Sequence, residues 1–213
     1  MILFGASVSP FVRKVLLVAA EKGIALENRP ANPRTSDDPD FILASPFRKI
    51  PAFKDGDFTL ADSTAIVAYL DAKFPSPAMI PTEPKARGKA VWFEEVADTI
   101  LFAPVSSIFF NRIVAPKFLN MPGDEAVASE SQKNALPPLF AYLEGAVPAA
   151  GFLVGDSLSI ADVSITSMLV NLNLSNVAVD AAKYPKLAAY YTRMVSRPSF
   201  AKQIAADRAM LGM

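Results

Sequence analysis

The 213-residue chain contains no cysteine and no histidine. Without cysteine it can form no disulfide, no thiolate metal site and no cysteine nucleophile. Without histidine it can hold neither a Ser-His-Asp triad nor a histidine-ligated metal. We therefore expect no metal, and a reactive sulfur or imidazole would have to come from another molecule.

An excess of charge of one sign is also missing, because 21 basic residues balance 21 acidic ones. This balance predicts neither a nucleic-acid partner nor an anionic membrane surface. The N-terminus has no basic segment followed by an apolar stretch, as a signal peptide would. No uninterrupted apolar run approaches the roughly 18 residues of a membrane helix. These observations predict a cytoplasmic protein with no membrane partner.

The first third of the chain alternates predicted strands and helices. Hydrophobic spacing and turn residues predict strands at 2–4, 25–29, 51–54 and 58–60, and helices at 10–22, 39–44 and 62–74. The two last strands flank Asp55-Gly56-Asp57, a strong hairpin signal. The resulting order, β-α-β-α-β-β-α, predicts a small mixed sheet covered by helices.

The composition changes at residues 75–84, which contain four prolines. Such a segment is stiff and non-helical, so we predict a linker there, between a first domain at 1–77 and a second at 85–213. Strand signals vanish beyond it. Helices are predicted at 85–115, 125–146, 159–173, 185–196 and 199–211, with prolines at 104, 137 and 138 expected to kink or interrupt the first two.

A serine stands where the first strand turns into the first helix, in Ser7-Val8-Ser9-Pro10-Phe11. Pro10 suits the first helical turn, where its missing N–H costs nothing. The unpaired N–H groups and the helix dipole favour a negative group at this corner. The Ser9 hydroxyl could donate a hydrogen bond to an anion such as a thiolate, or simply cap the helix. Ser7 is the nearby alternative.

Four segments, in order and at matching spacing, resemble the glutathione transferase superfamily over essentially the whole chain. Ser9-Pro10-Phe11 is similar to the family's catalytic segment before the first helix, and Lys49-Ile50-Pro51-Ala52 to its cis-proline segment. Asp62-Ser63-Thr64-Ala65-Ile66 resembles the acidic-Ser-x-Ala-Ile motif, and residues 155–162 resemble a helix-capping segment of the second domain. The resemblance implies a thioredoxin-like α/β domain followed by an all-α domain.

The resemblance further implies that glutathione is the co-substrate and that Ser9 stabilises its thiolate. A free thiol has a pKa near ~8.5, and lowering it by ~2 units is worth ~2.7 kcal/mol. Phe11 would belong to the same site. The backbone of Ile50, exposed by a cis bond to Pro51, would pair with the cysteinyl backbone. From the residues alone, an ordinary trans proline opening a strand is the alternative.

Three further residues are implied to bind the ends of the tripeptide. Ser63 would bind the γ-glutamyl carboxylate at a helix N-terminus, and Asp62 the nearby ammonium, although both residues also suit an N-cap. The family more often has Glu where Asp62 stands. Lys49, and less strongly Arg48, would pair with the glycyl carboxylate, while a solvated surface charge is the commoner fate of such residues.

The second substrate is expected to be a small, apolar electrophile bound between the domains. Its pocket would include Phe102, Phe109 and Arg112, with Met210 and Leu211 as further candidates. Ser159 and Asp162 form a Ser-x-x-Asp capping pair, which we interpret as structural.

The predicted function is conjugation of glutathione to the electrophile by a glutathione transferase. A non-catalytic module that binds glutathione or apolar ligands is the main alternative. A specialised ether-cleaving or dehalogenating enzyme is another, whereas a thiol reductase is disfavoured because the chain has no cysteine. The family resemblance also implies a homodimer in which the helix at 62–74 contacts the partner's helical domain.

Overall fold

A computed structural model describes residues 1–213 and contains one four-stranded sheet with the strand order β2-β1-β3-β4. Strand β1 pairs in parallel with β2 and antiparallel with β3, and β3 pairs antiparallel with β4. The strands are β1 Ile2–Phe4, β2 Glu27–Arg29, β3 Ala52–Asp55 and β4 Phe58–Ala61. The helices of this part are α1 Pro10–Glu21, α2 Pro39–Ala44 and α3 Ser63–Lys73. The predicted order β-α-β-α-β-β-α is confirmed.

The rest of the chain is helical, as predicted. The α-helices are α4 Pro84–Glu95, α5 Phe102–Phe109, α6 Ala115–Phe118, α7 Glu125–Glu130, α8 Leu136–Ala146, α9 Ile160–Leu174, α10 Pro185–Val195 and α11 Pro198–Met210. Helices α4 to α6 form one continuous run, and α7 continues into α8, because π-helical segments join them. These π segments are Val96–Leu101, Phe110–Val114 and Ser131–Ala135.

Interior prolines explain where the π segments lie. A proline cannot donate to the carbonyl four residues earlier, and its ring crowds that carbonyl. Pro104, Pro116 and Pro137 each follow a π segment by two or three residues, so the carbonyl four residues before each proline lies inside the segment. A π turn widens the helix at that point and lets it continue. Near these prolines the helices therefore change their local winding and continue without a break.

One helical run, Pro84–Phe118, passes a simple test for a membrane span by length and composition. An 18-residue window within it has a mean hydropathy of 1.3, and 39% of that window is buried. Charged residues interrupt this run, so it contains no uninterrupted apolar stretch of about 18 residues. Phe93, Leu101 and Ile108 of this run are buried in the main core. We therefore describe it as a core helix.

The main hydrophobic core extends across the predicted domain boundary. It joins Leu3 of the sheet and Val12 of α1 to Ile160 and Leu169 of α9. Helix α1 thus packs against α3 in the first part of the chain and against α9 and α11 in the second. The division into domains at 1–77 and 85–213 stays a prediction.

The proline-rich linker is held in place rather than acting as a free spacer. The Asp71 carboxylate accepts hydrogen bonds from the backbone N–H groups of Met79 at 2.7 Å and Ile80 at 3.1 Å. Lys22 forms an ion pair with the same carboxylate at 2.7 Å. The Met79 carbonyl in turn accepts from the N–H of Ile160 at 2.8 Å. These contacts fix the second half of the chain against the first.

Candidate functional site

The register of the sheet brings three predicted segments to one end of it. Phe4, the last residue of β1, pairs with Ala52, the first residue of β3, and Ala52 pairs with Ala61, the last residue of β4. Ser9 follows β1, Ile50-Pro51 precedes β3, and Asp62-Ser63 follows β4. Because neighbouring strands lie only ~4.8 Å apart, the three segments meet at this end.

A glycine allows two of these segments to approach each other closely. Gly5 has a φ of 140°, which favours glycine. A Cβ placed on Gly5 would lie 2.6 Å from Cγ2 of Val12 and 3.1 Å from Cβ of Ile50. The chain between β1 and α1 therefore packs directly against the residue that precedes the cis proline, and no larger side chain fits at position 5.

The structure separates the roles of Ser9 and Ser7. Ser9 is the N-cap residue of α1, with extended backbone, yet its hydroxyl makes no capping hydrogen bond, and the side chain is half-buried. Ser7 is buried, and its Oγ donates to Oδ1 of Asp207 at 2.6 Å. The Ser9 hydroxyl is therefore free to donate to a ligand, whereas that of Ser7 is engaged within the protein.

In the segment before β3, the backbone of Ile50 makes no hydrogen bond and the ammonium of Lys49 makes no ion pair within the chain. The Ile50–Pro51 peptide bond is cis, as the resemblance implied. Buried Ser45 holds the preceding backbone, since its Oγ accepts from Lys49 N at 2.8 Å and donates to Lys49 O at 2.7 Å. The Lys49 ammonium forms no ion pair within the chain, whereas the Arg48 guanidinium donates to the carbonyl of Ser36 at 3.0 Å.

The start of α3 offers a serine hydroxyl, and Asp62 caps the N–H groups that follow it. Asp62, with a φ of 78°, caps the helix by accepting at Oδ1 from Thr64 N at 2.9 Å and Ala65 N at 3.1 Å. Its other carboxylate oxygen makes no hydrogen bond within the chain. Ser63 is buried, and its hydroxyl makes no hydrogen bond there. Both interpretations of Asp62 thus remain compatible, since one oxygen caps the helix and the other has no partner within the chain.

A buried charged cluster, which sequence reasoning missed, lies beside the start of α3. Lys14 Nζ donates to Glu94 Oε1 at 2.9 Å and to Asp98 Oδ2 at 2.5 Å, and Thr64 Oγ1 donates to the same Glu94 oxygen at 2.6 Å. Burial raises the pKa of Asp98 to about 6, against the opposing influence of Lys14. The cluster joins α1, α3 and α4. Two adjacent charges in an otherwise apolar helix, Arg13 and Lys14, were the available signal.

The three predicted pocket residues lie in different surroundings. The rings of Phe11 and Phe102 are in contact, with centroids 4.8 Å apart, and both side chains are half-buried. This contact places the start of α5 beside the start of α1. Phe109 is instead buried in a small cluster with Val8 and Ile113. Its role in the structure is packing.

Arg112 is already engaged by neighbouring side chains. Its guanidinium donates to both carboxylate oxygens of Glu125, at 3.0 and 2.6 Å, and to Gln132 at 2.8 Å. This contact lowers the pKa of Glu125 to about 2. Arg112 therefore links its own helix to the following one, and its place in a substrate pocket stays a prediction.

The predicted capping pair forms and does more than cap a helix. Asp162 Oδ2 accepts from Ser159 N at 3.0 Å, while Oδ1 accepts from Leu153 N and from the Tyr190 hydroxyl, both at 2.8 Å. Burial raises the pKa of Asp162 and raises that of Tyr190 well above its usual value. The pair therefore fixes the start of α9 against α10, in agreement with the structural interpretation.

Comparisons with known proteins show which family the chain resembles. Residues 3–78 match the family described as "Glutathione S-transferase, N-terminal domain", and residues 109–207 match "Glutathione S-transferase, C-terminal domain". A glutathione S-transferase from Hyoscyamus muticus is 30% identical over 210 residues, covering 96% of this chain and 97% of its own. A solved structure of glutathione S-transferase I bound with lactoylglutathione is 25% identical, with a TM-score of 0.83, covering 96% of this chain and 98% of its own.

One similar protein has a different kind of name. A stringent starvation protein A homologue from Haemophilus ducreyi is 26% identical over 204 residues, covering 96% of this chain and 89% of its own. Its name specifies no transferase activity. Fold and activity therefore need separate arguments in this group of proteins.

Proposed function

Because the chain belongs to the glutathione S-transferase family, we propose that it transfers the thiolate of glutathione to a small, apolar electrophile. The observation that carries this proposal is the convergence at one end of the sheet of three unengaged groups. They are the Ser9 hydroxyl, the Ile50 backbone beside cis-Pro51 and the Ser63 hydroxyl. The Lys49 ammonium lies in the same segment as Ile50 and adds a free cation.

The residues fit the chemistry of the tripeptide. Ser63 and the N-terminus of α3 suit the γ-glutamyl carboxylate, and the free oxygen of Asp62 suits the adjacent ammonium. The Ile50 backbone can pair with the cysteinyl peptide as an added strand would. Lys49 suits the glycyl carboxylate. This arrangement directs the cysteinyl sulfur toward Ser9.

Ser9 acts on the sulfur by hydrogen bonding and not as a nucleophile. The thiol loses its proton to solvent, and the hydroxyl of Ser9 together with the N-terminus of α1 stabilises the resulting thiolate. The sulfur then forms a bond to carbon of the electrophile, and in a substitution the electron pair of the broken bond leaves with the halide. Phe102 and Phe11 provide an apolar wall for that substrate.

A direct test is turnover of a generic aryl halide with glutathione, with glutathione binding measured separately by calorimetry. Turnover above the uncatalysed rate supports the transferase. Binding without turnover over a broad panel of electrophiles would favour the non-catalytic module. The similarity to a protein named as a stringent starvation protein is the reason to test this alternative. Release of halide or cleavage of an ether with little conjugation of the aryl halide would favour a specialised enzyme. We include a cytoplasmic location in the proposal, because the cytosol contains a glutathione pool.

Lys49→Met is expected to raise the KM for glutathione about tenfold while leaving kcat nearly unchanged. The variant removes a binding charge that does not change during the reaction, and losing a hydrogen bond to a charged group costs about 1.5 kcal/mol. Steady-state kinetics with varied glutathione measure the effect. Arg48→Met is the matched control, since its guanidinium donates to the Ser36 carbonyl. An equal rise of KM in the two variants would contradict the assignment to Lys49.

We also propose that the chain forms a homodimer through an apolar surface on α4 and α8. Trp92, Ile100 and Tyr142 are 44–50% exposed, and the Trp92 indole N–H donates to the Tyr142 hydroxyl at 2.9 Å. Exposed apolar patches of this kind mark interaction surfaces. The hydrogen bond from Thr64 to Glu94 places the start of α3 beside α4, so one partner can cover both helices.

Trp92→Glu is expected to convert the dimer to a monomer at micromolar concentration, because it places a charge in a desolvated contact. Sedimentation velocity measures the change. Phe118→Glu is the matched control: Phe118 is 46% exposed and lies 26 residues further along the same helical run. A dimer that survives Trp92→Glu and dissociates with Phe118→Glu would place the interface elsewhere.

A further inference from the structure

The turn that carries Ser9 is hydrogen-bonded to α11, the last helix of the chain. Asp207 of α11 and Arg13 of α1 are both fully buried, and Arg13 Nε donates to Asp207 Oδ2 at 2.6 Å. Ser7 Oγ donates to the other carboxylate oxygen of Asp207 at 2.6 Å. Ser7 of the turn is therefore hydrogen-bonded to a side chain that lies 200 positions further along the chain.

The next residue of the turn is held through its backbone. The Val8 carbonyl accepts from Arg13 Nη2 and from Asn171 Nδ2 of α9, both at 3.3 Å. Arg13 Nη1 also donates to Asn171 Oδ1 at 2.5 Å. The two residues before Ser9 are thus fixed by partners from α1, α9 and α11, all within a buried network.

Buried networks of this kind fix geometry because every member is satisfied by another. The Ser9 hydroxyl has no such support of its own, since it makes no capping hydrogen bond. The Ser9 backbone is held within the turn and helix, with its N–H donating to the Ala6 carbonyl at 3.0 Å and its carbonyl accepting from Arg13 N at 2.9 Å. The position of the hydroxyl depends on the backbone that leads into it. A misplacement of about 1 Å at a reacting centre can lower a rate by about 100-fold, so the support of this turn has catalytic consequences.

We infer that Ser7 and Asp207 are positioning residues, which set the direction of the Ser9 hydroxyl toward the sulfur of glutathione. This inference rests on the proposed function. The second half of the chain thereby contributes to thiolate stabilisation without touching glutathione. Asp207 acts through Ser7, and Arg13 and Asn171 act through the Val8 carbonyl.

Gln203 supplies a matched control. Its Nε2 donates to Asp207 Oδ1 at 2.9 Å, the oxygen that also accepts from Ser7. Ser7→Ala and Gln203→Ala therefore each remove one hydrogen bond to the same atom. Only Ser7→Ala also releases the turn before Ser9. The two variants should lose a similar free energy of unfolding, but only Ser7→Ala should change the thiol pKa of bound glutathione.

The test measures the thiol pKa of bound glutathione by ultraviolet titration and kcat/KM as a function of pH. Ser7→Ala should raise the thiol pKa and lower kcat/KM at neutral pH about fivefold, whereas Gln203→Ala should leave the pH profile in place. Ser7→Cys, which keeps the shape and weakens the donor, should lie between the wild type and Ser7→Ala. In a Ser9→Ala background, Ser7→Ala should have no further effect, because it acts through Ser9.

The outcomes separate this inference from the proposed function. A wild-type protein that leaves the thiol pKa of glutathione unchanged overturns both. A wild-type protein that lowers it, together with Ser7→Ala and Ser7→Cys variants that behave as the wild type, overturns only the positioning role. Equal shifts in Ser7→Ala and Gln203→Ala would also overturn it, since they would show a general loss of stability.

Discussion

Ser9→Ala should lower kcat/KM for an aryl halide about 20-fold at pH 7. If Ser9 lowers the thiol pKa from ~8.5 by ~2 units, most of the bound glutathione is thiolate at pH 7 in the wild type, against a few per cent in the variant. The Ser9 hydroxyl makes no hydrogen bond within the chain, so its removal should leave the fold intact. Glutathione affinity at pH 7 should fall only about fourfold, because the other contacts remain and the loss is confined to the thiolate form.

The dependence on pH makes this result specific. As the pH rises above the thiol pKa of free glutathione, both proteins bind the thiolate, and their kcat/KM values should converge. A variant that only misfolds would lose activity at every pH. Ser9→Thr keeps the hydroxyl and is the matched control, expected to retain the wild-type pH profile. Unchanged activity in Ser9→Ala would refute the assignment and direct attention to Ser7 or the Ile50 backbone.

Sequence was sufficient where the determinants of structure are local. Helix α2 was predicted with its observed bounds, since Pro39 suits a first turn and Asp38 precedes it as a cap. The Asp38 carboxylate indeed accepts from Asp40 N at 2.9 Å. The π turn before Pro104 did not follow from the sequence, because the winding of a helix that packs in the core depends on its neighbours.

In the candidate site, too, local features were predictable and contacts between distant residues were not. The positions of Ser9, Ile50 and Ser63 follow from strand register, which the hairpin and the order of elements predict. The adjacent proline favours Ser9 over Ser7, but the role of Ser7 did not follow from the sequence, because its partner is Asp207, at the other end of the chain. The cluster around Lys14 was missed for a similar reason: apolar spacing indicates that a charge is buried, but not which carboxylate accompanies it.

The largest expected effect on stability concerns the buried ion pair of Arg13 and Asp207. Arg13→Met keeps much of the side-chain volume and removes the cation, which leaves the carboxylate uncompensated at 0% exposure. Breaking a buried pair in this way costs about 3–5 kcal/mol of unfolding free energy. Urea unfolding at pH 7 measures it. Arg87→Met, the same replacement at an exposed position of α4, should change the unfolding free energy by less than about 0.5 kcal/mol.

A second substitution should restore part of this loss. Arg13→Met combined with Asp207→Leu removes both charges and should recover most of the unfolding free energy. If Ser7 and Asp207 position Ser9, however, this double variant should regain stability without regaining activity. A double variant that recovers both stability and activity would show that the network stabilises the fold and does not position Ser9.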